Sequence, residues 1–115
     1  MDHDIEKARQ ILSEVIGYFL DSGIYGMQVS FDPTDEGFRI SVSGPSPQEP
    51  ADFHAFRQAL SDGFQPELAE YYLQLLDMRP GKEHHHLLGA IVDEADAVYE
   101  QGILTVKVFK RNAGR

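Results

Sequence analysis

The chain contains no cysteine among its 115 residues, which excludes a disulfide framework, thiolate catalysis and cysteine-ligated zinc or iron–sulfur centres. A cytosolic setting is the corresponding expectation. No apolar run approaches the roughly 20 residues that cross a bilayer. The opening MDHDIEKARQ carries charges of both signs and no signal-peptide core, so a soluble, unprocessed protein without membrane contact is expected. Basic charge is also scarce: ten Lys and Arg against nineteen Asp and Glu give a formal charge of −9, and such a field repels nucleic acid and anionic lipid. The basic residues that do gather, Lys107, Lys110, Arg111 and Arg115, read as solubilising charges near the C-terminus. Signatures of nucleophilic hydrolysis are missing as well. Ser13, Ser30, Ser41, Ser43 and Ser46 lie in no G-x-S-x-G elbow, and the five histidines have no triad spacing.

What is present is strongest between Tyr25 and Gly44. Tyr25, Met27, Val29 and Phe31 alternate with polar residues, and Phe38, Ile40 and Val42 do so again after a polar break. Period-two alternation of this kind predicts an antiparallel hairpin with one buried side. In the break, Asp32-Pro33-Thr34-Asp35-Glu36-Gly37, Pro fixes φ, Asp bonds its own backbone and Gly accepts positive φ.

Before it, Ile5, Ala8, Leu12, Val15, Ile16 and Phe19 recur at helical spacing, with Glu6, Lys7, Arg9, Gln10 and Glu14 opposite or at the margins. Asp2 or Asp4 can cap this helix and Ser22-Gly23 can end it. After Gly44 the prolines of PSPQEP force an exposed connection. Helices are then predicted from about Ala51 to Ser61 with Phe53, Phe56 and Leu60 inward, from Pro66 to the break at Arg79-Pro80-Gly81, and from about Lys82 to Val92. Two further alternating runs, Ala95 to Glu100 and Ile103 to Lys110, flank a Gln101-Gly102 turn. Helix, hairpin, helices, hairpin is the pattern of one α+β domain spanning residues 1–115. The economical architecture is a two-layer α/β sandwich, a four-stranded, mainly antiparallel mixed sheet covered on one face by helices.

This order of elements resembles the nucleotide-binding domain of the GHKL superfamily of histidine kinases, anti-sigma-factor kinases, DNA gyrase and related ATPases. ILSEVIGYFLDSGIYGMQVSFDPTDEGFRISVSGP is similar to that family's first half, a helix with a Glu and an Asn four residues on, then a hairpin ending in Asp-x-Gly. HHLLGAIVDEADAVYEQGILTVKVFK is similar to its glycine-rich helix start and terminal hairpin. By this resemblance Glu14 falls at the acidic position, Tyr18 replaces the magnesium-holding Asn, and Val42 or Ser43 replaces the adenine-binding Asp. Gly44 falls in the Asp-x-Gly region, and Gly89 is the surviving glycine of the phosphate loop. Tyr18 is a poor ligand for a hard cation. The resemblance thus implies a scaffold that has lost its ATP and magnesium chemistry, with no catalytic residue and no cofactor. By the same resemblance such a scaffold is expected to work as a regulatory or interaction module with a homodimeric or other protein partner. The alternative is weak nucleotide or small-ligand binding between the first helix and the Gly44 and Gly89 turns, through Glu14, Tyr18, Ser43, Gly44 and Gly89, with Glu14 placed as base or water-positioner.

Other clusters carry less. Glu83-His84-His85-His86 is rich in ligands, yet consecutive histidines on a helix point about 100° apart and cannot all meet one ion, so no metal site is expected there even if His54 approaches. Phe53, Phe56, Phe64, Tyr71 and Tyr72 read as core aromatics facing the sheet. Asp93, Glu94, Asp96 and Glu100 read as solvated strand acids.

Overall fold

The computed structural model describes residues 2–61, 63, 65, 67 and 88–112. In chain order the elements are α1 (Asp2–Asp21), β1 (Gln28–Pro33), β2 (Gly37–Pro45), α2 (Phe53–Ser61), α3 (Leu88–Ile91), β3 (Glu94–Glu100) and β4 (Ile103–Arg111). The strands form one antiparallel sheet in the order β1-β2-β4-β3, with no parallel pair among them. α1 packs on β2 and α2 on β3, from the same side, giving the α+β sandwich with one open sheet face. The helix expected from Pro66 to Arg79, the start of the next one, Phe64, Tyr71, Tyr72, and Glu83, His84, His85 and His86 lie outside the described residues.

α1 buries Ile11, Glu14, Val15, Tyr18 and Phe19. Their spacing is one helical face, but rotated from the stripe expected: Ile5 is half exposed and Glu14, expected on the outer side or its margin, lies inside. The helix ends as Ser22-Gly23 predicts. Gly23 takes φ +77°, Ile24 N–H donates to the Phe19 carbonyl at 2.9 Å and Gly23 N–H to that of Leu20 at 3.0 Å. This paired pattern satisfies the last carbonyls and turns Ile24 into the core beside Phe19.

The first turn is organised by Thr34. Its N–H donates to the Gly37 carbonyl at 2.7 Å, and its Oγ1 receives the N–H groups of Glu36 and Gly37 at 3.2 and 3.1 Å. Gly37 does not take positive φ, contrary to expectation. It is needed because a Cβ there would run into the Lys110 carbonyl and Arg111 Cα on β4. The second turn follows its sequence closely: Gln101 and Gly102 both have positive φ, 53° and 77°, as a two-residue hairpin turn requires.

Inward side chains of β2 and β4, Ile40, Val42, Leu104, Val106 and Val108, meet α1 residues and Phe53, Phe56 and Leu60 of α2 in one core. β1 departs from the reading of its sequence. Pairing Val29 with Val42 and Phe31 with Ile40 puts these side chains on the helix side of the sheet. Yet Val29 is 45% and Phe31 46% exposed, and Tyr25, just before the strand, is 68% exposed. The alternation identifies their face and not their burial. Among the described residues α1 lies over β2, and the outer strand is only about half covered.

Candidate functional site

Glu14 and Tyr18 stand one turn apart on the buried face of α1. The Tyr18 ring stacks on Phe56 of α2, centroids 3.8 Å apart and planes 8° from parallel, and meets Phe19 edge-on at 6.4 Å. Its hydroxyl donates to Asp52 Oδ1 at 3.1 Å. Burial, then the nearby Asp52 carboxylate and the bond to it, hold this phenol well above the usual tyrosine range. Tyr18 therefore stays neutral and joins α1 to the start of α2.

The remaining expected ligands sit elsewhere. Ser43 alternates with buried Val42 and so faces the open side of the sheet, away from α1. Gly44 lies beneath the link between α1 and β1, where a Cβ would come 2.9 Å from Ile24 Cγ2 and 3.3 Å from Met27 Cβ. Gly89 allows α3 to approach α2, since a Cβ would stand 2.5 Å from the Ala59 carbonyl oxygen and 2.8 Å from Leu60 Cα. Both glycines thus have packing reasons. Glu14 and Tyr18 share a layer, and Ser43 is separated from them by the sheet. His54 is exposed on α2, and among the described residues no three His, Asp or Glu side chains are grouped as metal ligands. Nor is any described helix long and apolar enough to span a membrane.

The open face carries a shallow groove of about 210 Å³ lined by Arg39, Glu94, Asp96, Lys107 and Phe109. Phe109 is 4% exposed although it points away from the helices, because the Arg39 and Arg111 guanidinium groups lie 4.8 and 5.8 Å from its ring centroid. Asp93 fixes this end of β4. It accepts the Arg111 N–H at 2.7 Å and lies 3.9 Å from Arg111 Nε. The groove mixes two cations with two carboxylates and has no net charge to select a ligand.

The outer strand offers the more definite chemistry. The direct Thr34 to Gly37 bond fixes the alternation of the β1–β2 ladder. With the observed register, Gln28, Ser30 and Asp32 direct their backbone groups at β2, and Val29, Phe31 and Pro33 direct theirs outward. The Ser46 N–H to Gly102 carbonyl bond, 2.8 Å, fits the same alternation on the other side of β2. Among the described residues β1 pairs with β2 alone. A free edge and a half-exposed apolar strip therefore belong to the same residues. Phe31 rests partly on Phe38, with centroids 5.6 Å apart, and so holds its position without being covered. Sequence reasoning missed this surface because it gave Asp32 and Pro33 to the turn, whereas both belong to β1, and a proline, with no N–H to give a ladder, belongs on an edge strand.

Comparison with known proteins returned no matching family model, no matching curated protein and no matching solved structure.

Proposed function

We propose that this chain is a non-catalytic regulatory module acting through protein contact, with β1 as the surface it presents. The observation that carries this reading is the exposure of Val29 and Phe31, with Tyr25 just before them, along a strand whose outward backbone groups have no ladder partner among the described residues. An edge of this kind is completed by an added strand, whose main-chain bonds give affinity and whose alternate side chains give specificity. The GHKL likeness supports the non-catalytic half. On that alignment the magnesium position holds Tyr18, whose hydroxyl is engaged by Asp52. Gly44 and Gly89, the glycines of the ligand turns, are accounted for by close packing. The lack of cysteine supports a cytosolic place of action.

The test has two arms. Calorimetry with millimolar ATP or ADP, with and without magnesium, is expected to show no binding heat, and saturable heat would favour a retained nucleotide site instead. A photoreactive benzophenone side chain is then placed at position 31 or, as control, at exposed position 96 on β3, and irradiated in cells. Adducts to a polypeptide from 31 and none from 96 are expected. None from 31, or equal yields from both, would overturn the reading.

A further inference from the structure

We infer that the strand completing β1 is β1 of a second copy, related by a two-fold axis through Ser30. This rests on the interaction reading above and adds the identity of the partner. The outer edge of β1 is self-complementary. In antiparallel strands, residues whose backbone groups point at the partner must meet residues of the same kind. Here these are Val29 and Phe31, because Gln28, Ser30 and Asp32 already bond β2. A dyad through Ser30 sets Val29 of each copy against Phe31 of the other, and both pairs exchange their outward N–H and C=O bonds. The half-exposed valine and phenylalanine then cover one another as β-branched and aromatic cross-strand pairs. Pro33, which has no N–H, ends the ladder at each end.

Charge is compatible with this register. Asp32 is the only charge on β1, and the dyad places it opposite Gln28 of the second copy, in the closer, non-hydrogen-bonded kind of pair. Ser30 Oγ already donates to Asp32 Oδ2 at 2.9 Å, leaving the other oxygen for the glutamine amide. Asp35 and Glu36, at the hairpin tip, fall beyond the end of the other copy's strand and not against each other. The −9 charge of each chain opposes association at long range, and at about 0.15 M salt it is screened beyond about 8 Å. The two four-stranded sheets become one continuous sheet with a closed, isologous interface.

The test is sedimentation equilibrium of the purified chain over a wide concentration range at 0.15 M salt. A reversible monomer–dimer equilibrium is expected. Gln28→Lys sets an ammonium against Asp32 of the other copy, twice across the dyad, and should tighten the dimer by roughly two- to thirty-fold, and Gln28→Glu should weaken it by a similar factor. Gln58→Lys makes the same charge change on the exposed side of α2 and controls for net charge. It should have little effect. A monomer at every concentration overturns the inference, as does an equal response to Gln28→Lys and Gln58→Lys. The benzophenone adducts separate this failure from failure of the broader reading: adducts from position 31 only to other proteins remove the second copy and keep the interaction module, whereas no adduct removes both.

Discussion

The two hairpins of this sheet have nearly the same written pattern and opposite fates. β3, the outer strand of the second, places Ala95 and Ala97 under the helix layer, and Ala97 is 1% exposed beneath α2. β1, the outer strand of the first, places Val29 and Phe31 on the same side and leaves them half exposed. Small side chains on β3 let a helix come close, and Tyr99 strengthens that edge by donating to the Ser46 carbonyl at 2.7 Å. Alternation in a strand specifies which side faces the helices. Coverage is decided by where the helices lie, and here α1 is centred on β2.

The largest effect should separate an inner from an outer position in one register pair's neighbourhood. Ile40 is fully buried, so Ile40→Asp places a charge in the core and should abolish folding in a domain whose stability is on the order of 5–15 kcal/mol. Val29→Asp in the dilute monomer loses strand propensity and the partial burial of a half-exposed valine and should cost about 1–2 kcal/mol, leaving the domain folded. Urea denaturation of both checks the contrast, and equal losses would mean that β1 is covered. Gly89→Ala forces a methyl against the α2 backbone and should cost about 1–3 kcal/mol by the same measurement.

Tyr18→Phe removes the bond to Asp52 and should cost about 0.5–1.5 kcal/mol near neutral pH. Its pH signature has a definite sign. Because the Tyr18 pKa is raised in the folded state, the unfolded chain loses this proton first, and stability declines as pH rises past the ordinary tyrosine value of about 10. The difference between parent and Tyr18→Phe should therefore shrink above that pH. A constant difference would mean the phenol is not held neutral by its site. The smallest effect is expected from Arg39→Ala, which uncovers Phe109 on the open face and should cost about 0.5–1 kcal/mol.

Much of the fold was legible in the sequence because its punctuation is local. Gly23, Gln101-Gly102 and the apolar alternation of β2 and β4 state their roles within a few residues. The long-range facts were not legible. Gly37 reads as a turn glycine and is required by the approach of β4, which is distant in sequence. Glu14 reads as a surface residue, and its burial follows from the rotation of α1 against β2. Phe109 reads as an outward strand residue, and only the pairing that brings Arg39 beside it explains its burial. The resemblance-based ligands Glu14, Tyr18, Ser43, Gly44 and Gly89 come from alignment with a motif, and nothing in their local chemistry specifies which side of the sheet each would occupy. The interaction strand was half visible: Pro33 marks an edge, but exposure depends on the helices.

Residue-resolved amide hydrogen exchange tests the free edge most directly. In dilute protein the amides of Val29 and Phe31 should exchange far faster than those of Ser30 and Asp32, which bond β2, and should slow as protein concentration is raised and the strand finds its partner. Amides of Val29 and Phe31 that are as protected in dilute protein as Val106, in the centre of the sheet, would contradict the account.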